Sequence, residues 1–165
     1  MRRVLRQREI VADDWRHLAE SDDATRGTEA LIVPLAELRA NPVAWAGRPG
    51  RLGLRLAPAD KVEDLVIELG RFELIAVEFP SPSEGRGYTQ GHLLRERFGF
   101  TAELRAVGAG VKRDLISAMA RCGFDSFEVA AGEDLDAAAR ALDRYTVAYQ
   151  PGAPLASITR QRFSA

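Results

Sequence analysis

Residues 74–100 read LIAVEFPSPSEGRGYTQGHLLRERFGF. Leu74–Glu78 reads as a strand, since Leu74-Ile75-Ala76-Val77 has the apolar, partly β-branched character of a buried one. Two prolines, two serines and Gly85-Arg86-Gly87 follow and break it. A segment with helical spacing then runs from about Thr89 to Phe98, with Leu93 and Leu94 inward and Arg95, Glu96 and Arg97 mostly outward. Gly99 closes it. Strand, glycine loop, helix is the order in which α/β proteins present ligand sites, so this stretch predicts both a fold class and a location for chemistry.

The pattern repeats in both directions. Leu31–Val33 is a short strand ended by Pro34, with short helices from Leu35 and from Asn41-Pro42. Leu52–Leu56 is the next strand. Asp60 and Glu63 form a capping-box pattern before a helix whose face is Val62, Leu65, Val66 and Leu69. After the central stretch, Glu103–Val107 is a strand and Gly108-Ala109-Gly110 leads into a helix with Val111, Leu115, Ile116 and Met119 on one face. Ser126–Val129 is the fifth strand, and Leu135, Ala138, Ala139 and Leu142 face inward from a last helix. Residues 3–12 read as a short strand pair or an extended arm around Arg6–Glu9, and 13–28 as a turn of helix and a loop. The expected fold is therefore α/β, a parallel sheet of about five βα units in partial (β/α)-barrel order behind a short N-terminal strand pair; a flavodoxin-like open sheet is the alternative. Residues 1–150 form one domain and 151–165 a tail.

Four strands each carry one charge: Arg55, Glu78, Arg105 and Glu128. Strands covered by helices on both faces are nearly all apolar. In barrel order these charges fall on one polar face, with Arg and Glu alternating from strand to strand. This is either a structural ladder of ion pairs or the floor of a ligand site, with Glu78 and Glu128 as candidate catalytic acid and base. Five units leave open edges, so a homodimer is expected.

Both glycine loops follow a strand and precede a helix, so they emerge on the same sheet edge. Free N–H groups at helix starts favour anions, and Arg86, Lys112 and Arg113 add charge. The candidate anion-binding set is Gly85, Arg86, Gly87, Tyr88, Arg55, Arg105, Gly108, Gly110, Lys112 and Arg113. The alternative is that the glycines only make tight turns, and Tyr88 either stacks on a ligand or plugs the barrel mouth. Gly108-x-Gly110 lacks the third glycine and the acidic residue of a dinucleotide fingerprint, and no phosphate-binding GxxxxGK[ST] motif occurs. Ser81 and Ser83 have no histidine and acid arranged near them, and His92 reads as a solvated helix residue.

A net charge of −1 argues against wrapping nucleic acid. No apolar run approaches the ~20 residues that span a bilayer, and the N-terminus has no secretion-signal pattern. One cysteine, Cys122, excludes an intrachain disulfide, fits the cytoplasm, and reads as a small core residue. With two histidines, His17 and His92, in no ligand-like spacing, no metal is expected.

The blocks ELIAVEFP, EGRGYT, LLRERFGF, ELRAVG and RCGFDSFEV, in that order over residues 73–129, resemble the bacterial "domain of unknown function 934" family. The resemblance spans roughly residues 30–150. The chain departs from the family pattern at Glu84 and Ala109, where the pattern has Asp. The resemblance implies an accessory role in assimilatory sulfate or sulfite reduction, beside sulfite reductase as a partner, and carries an oxidoreductase label. No redox-cofactor motif in the residues accompanies that label, so the cofactor stays open. Three functions are expected in turn: a protein binding a small anion or a phosphorylated or sulfated metabolite at the C-terminal edge, a non-catalytic partner of sulfite reductase, or a small enzyme using the strand carboxylates.

Overall fold

The computed structural model describes residues 2–19, 27–65 and 69–143. The tail expected at 151–165 lies outside the described residues. One sheet of eight strands organises the chain. Strands β1 (Arg3–Arg6) and β2 (Glu9–Ala12) form a hairpin whose turn residues, Gln7 and Arg8, adopt φ of 49° and 72°. Two successive left-handed residues give the turn that matches strand twist. Then come β3 (Arg16–His17), β4 (Leu31–Pro34), β5 (Leu52–Leu56), β6 (Leu74–Glu78), β7 (Glu103–Val107) and β8 (Ser126–Phe127). The order is β2-β1-β8-β7-β6-β5-β4-β3, with every pair from β3 to β8 parallel and β1 antiparallel to β8. Sequential order is that of a barrel. A flavodoxin-like sheet would reverse its strand order at a switch point. The sheet curls into a half barrel.

The helices are α1 (Leu35–Ala40), α2 (Pro42–Ala46), α3 (Arg86–His92), α4 (Ile116–Arg121) and α5 (Leu135–Asp143). They cover one face. On that side Leu52, Leu54, Leu56, Ile75, Val77, Leu104, Ala106 and Phe127 join the main core with Leu94, Ile116, Met119 and Ala138. The alternate residues of the same strands point to the concave face, where Trp15, Ala30, Ile32, Leu74, Ala76 and Val107 form a second, smaller core. Trp15 packs on β5 so closely that a Cβ on Gly53 would lie 3.1 Å from its ring.

Several elements differ from the sequence reading. Residues 16–17 are a strand, not a turn of helix; two residues carry no periodic signal, and their hydrogen bonds, Arg16 N to Ala30 O and Leu18 N to Ile32 O, depend on a distant strand. The Asp60 carboxylate accepts from Ala57 N and so closes a turn instead of capping a helix. The described residues after it make 3-10 turns at Val62–Leu65 and Leu69–Arg71, and Val66 of the expected helix face lies outside the described residues. Helix α3 starts at Arg86 and widens into a π-turn over Leu93–Arg97. Residues 111–115 precede α4 as turns. The fifth strand stops at Phe127.

The two glycine loops pack on each other. Gly110 N donates to Phe79 O at 2.7 Å, and a methyl on Gly110 would collide with the Ser81 carbonyl oxygen. Gly110→Ala is thus expected to cost about 1–3 kcal/mol. A lowered urea midpoint at an unchanged slope checks it.

Candidate functional site

The concave face is built by a strap, Asp13–His17, laid across the open side of the sheet. Asp13 N donates to Arg2 O at 2.9 Å, and Arg2 Nη2 returns to Trp15 O at 2.7 Å. Alternation along the strap puts Asp13, Trp15 and His17 on the inner side. Arg105 projects from β7 into the middle of this face and is fully buried. Its Nη1 donates to both oxygens of Asp13 at 3.0 and 2.9 Å, and its Nε and Nη2 donate to Glu103 Oε1 at 3.0 and 2.7 Å. Asp13 is itself buried, with its side chain 1% exposed. Arg2 Nε also bonds Asp13, and Arg6 reaches Glu103 at 3.4 Å.

Glu128, just past β8, closes the curl. His17 Nε2 lies 2.9 Å from Glu128 Oε2, although β3 and β8 are separated by four strands in the sheet. Arg2 Nη1 donates to Glu128 Oε1 at 3.3 Å, and Arg105 Nη1 stands 3.9 Å from Oε2. Burial pushes the Glu128 carboxyl up, but the His17 hydrogen bond and the charges of Arg2 and Arg105 hold it below the usual carboxylate range.

The four strand charges do share this face, but among them only Arg105 and Glu128 approach as an ion pair, at 3.9 Å. Register places Arg55, Ala76, Arg105 and Ser126 in one row and Glu78 beside Val107 in the next. The two arginines thus flank an alanine, and Arg105 takes its acids from the strap and from its own strand. Among the described residues the side chains of Arg55 and Glu78, both half-buried at the C-terminal end, make no hydrogen bond or ion pair. Arg2, Arg6 and Arg105 each have a carboxylate.

The glycine loops are adjacent on the C-terminal edge, but their donors are largely spent. Arg86 is exposed and clasps its neighbour Glu84 through Nε at 2.9 Å and Nη2 at 2.8 Å, while Arg86 N donates to the same carboxylate. These bonds, led by the Arg86 side chain, hold Glu84 down to about 2. The N–H groups of Tyr88, Gly110, Val111 and Lys112 bond carbonyls within the loops. Lys112 lies 3.5 Å from Glu133, which also accepts from Arg113 N; the Arg113 side chain turns to Asp114. Gly87 is where α3 crosses the Phe79 ring, and Gly108, at φ 108°, lets the chain pass the Phe79 carbonyl. Gly85, with no atom near its missing Cβ, precedes the helix. Tyr88 packs edge-on to Phe79 at 5.2 Å, on the helix-covered side. Ser81 and Ser83 bond each other, His92 is exposed, and Cys122 is half-buried with its thiol pushed up by burial.

Sequence reasoning missed Asp13, the site role of His17, and Arg95. Asp13 meets Arg105 across 92 residues of chain, and a single aspartate in a polar stretch gives no hint of that. Arg95, expected outward, lies under the helix and donates to Gly123 O, Phe100 O, Ala102 O and Asp125. Among the described residues no group of three His, Cys, Asp or Glu side chains is arranged to hold a metal.

The model of a family described as bacterial protein of unknown function, DUF934, matches residues 53–157. The chain belongs to DUF934. The matched stretch begins in β5 and contains Arg55, Glu78, Arg105, Glu128 and both glycine loops of this DUF934 chain; the strap with Asp13 and His17 precedes it. None of the curated proteins matches the chain. Among the described residues no helix is long and apolar enough to cross a membrane.

Proposed function

We propose that this DUF934 protein binds a small oxyanion, or the anionic group of a phosphorylated or sulfated metabolite, at the concave mouth of the half barrel, as an accessory protein of assimilatory sulfate or sulfite reduction. One observation supports the binding site: among the described residues the Arg55 side chain, half-buried on the concave face, makes no hydrogen bond or ion pair, while Arg2, Arg6 and Arg105 each hold a carboxylate. A partly desolvated guanidinium without a counter-charge is unfavourable by itself, and an oxyanion would satisfy it with two parallel hydrogen bonds. Arg86, at the same edge, would contribute only by leaving Glu84. The sulfur-assimilation context comes from the family resemblance, not from Arg55.

A second reading, a small enzyme with Glu78 and Glu128 as acid and base, is favoured by the unlike surroundings of the two carboxylates. Glu128 is tied to His17 and Arg2, and Glu78 has no cation. Such a contrast separates proton donors from acceptors.

A thermal-shift screen against sulfite, sulfate, phosphate, adenylyl and phosphoadenylyl sulfates, flavins and nicotinamides tests the proposal. A ligand at 100 times its dissociation constant stabilises the native state by about 2.7 kcal/mol. The oxyanions or their esters are expected to raise Tm, and Arg55→Ala to abolish the rise while leaving the unliganded Tm nearly unchanged. No shift with any anion contradicts the binding site and turns attention to sulfite reductase as a protein partner.

A further inference from the structure

Among the described residues four buried side-chain polar atoms lack a hydrogen-bond partner: Trp15 Nε1, His17 Nδ1, Ser126 Oγ and Gln90 Oε1. The first three belong to the concave face. Trp15 and His17 alternate along the strap, and Ser126 shares the row of Arg105 and Arg55. Native interiors leave few such atoms unsatisfied, and each one calls for a reason. Here they lie on the face that carries the unpaired Arg55.

The chemistry of His17 can be read further. Its Nε2 faces an ionised carboxylate, Glu128, and a carboxylate only accepts hydrogen bonds. Nε2 therefore carries the proton. In the neutral ring Nδ1 then holds a lone pair and needs a donor. His17 stands two strands from Arg55, about 10 Å across the sheet before curvature, and one inner residue lower, since register aligns His17, Ile32 and Gly53. Both residues lie on the concave face of the curled sheet.

We infer that His17 is the specificity-determining residue of the anion site, selecting an oxyanion that carries its own O–H over one that does not. The inference rests on the reading of Arg55 as the anion's anchor. Arg55 would hold the deprotonated oxygens, and His17 Nδ1 would accept from the protonated one. An anion with acceptors only would leave Nδ1 unsatisfied and meet its lone pair with another, and a buried group left without its partner is the strongest basis of discrimination between near-isosteres. Glu128 is the positioning residue, because it sets which ring nitrogen is protonated.

Phosphate and sulfate are the natural pair of probes. At about pH 8 both are tetrahedral dianions, but phosphate keeps one O–H and sulfate keeps none. By titration calorimetry at that pH, the wild type is expected to bind phosphate at least about tenfold more tightly than sulfate. His17→Phe should bring the ratio close to one while sulfate affinity is kept. Arg55→Ala should weaken both anions together. Glu128→Gln gives an independent arm. Its amide oxygen would stay on Arg2, which donates to Oε1, so its NH2 would face His17 Nε2. The ring proton would then move to Nδ1 and turn the acceptor into a donor. That variant should lose the phosphate preference, and the 15N shifts of the His17 ring should report the exchanged tautomer. Equal affinities in the wild type, or a preference that survives both His17→Phe and Glu128→Gln, would overturn the inference and leave the anion site standing. Binding of neither anion would overturn the site and the inference together.

Discussion

Replacing Arg105 by methionine is expected to cost the fold about 3–5 kcal/mol. The side chain is fully buried and is the central cation of Asp13 and Glu103. Methionine would fill much of the volume but leave the Asp13 carboxylate, 1% exposed, with Arg2 as its only remaining cation. A buried carboxylate stripped of its main partner is costly because its hydration is already gone. The strap would lose its anchor, and with it the seat of Trp15 and the approach of His17 to Glu128. Urea unfolding followed by far-ultraviolet dichroism reads the loss. The Arg105→Met, Asp13→Leu double variant should recover a large part of it, since replacing both partners of a buried pair is often close to neutral. A single variant as stable as the wild type would mean that the strap is held mainly by Trp15.

Arg95→Met is the second large effect, again about 3–5 kcal/mol. Arg95 is 11% exposed and ties the end of α3 to three carbonyls and to Asp125, whose Oδ1 in turn accepts from Leu104 N at the start of β7. Its removal leaves those carbonyls without a donor and Asp125 without a cation. The pH dependence has a definite sign. Burial pushes the Asp125 carboxyl above its usual value, with Arg95 the largest opposing influence. A carboxyl whose folded pKa is raised supports the fold at pH below its unfolded value and loses that support as pH rises through the folded pKa. Without Arg95 the folded pKa rises further. The deficit of the variant should be greatest at neutral pH and narrow as pH falls toward 3.8, the value of an unperturbed aspartate. A deficit that does not change with pH would assign the loss to the carbonyls alone.

What could be read from the chain follows from where each signal resides. Strands β5, β6 and β7 are bounded correctly to the residue because each is an apolar run flanked by breakers, and a strand buried by helices needs only that local pattern. The shared face of Arg55, Glu78, Arg105 and Glu128 was legible because side-chain alternation is local too. Their partners were not. Arg105 pairs across 92 residues with an aspartate, and His17 reaches Glu128 only because the sheet curls. The two-residue β3 exists because β4 offers it hydrogen bonds, so nothing within residues 16–17 announces it. The region after Asp60 shows the reverse error. Its apolar spacing was helical, but Gln90 Nε2 from α3 donates to Ala57 O and Asp60 O at its start, and the described residues beyond form 3-10 turns. The glycine loops drew attention by composition, and the structure shows their glycines facing Phe79 and Ser81 and their cations facing nearby acids.

The central claim is that the half barrel offers an anion its concave mouth at Arg55. A phosphate titration followed by backbone amide resonances tests it most directly. Saturable shifts are expected at Gly53–Ala57, at Glu78 and around His17 and Glu128, all absent in Arg55→Ala. Shifts confined to residues 84–88 and 108–113, or no saturable shift at all, would contradict it.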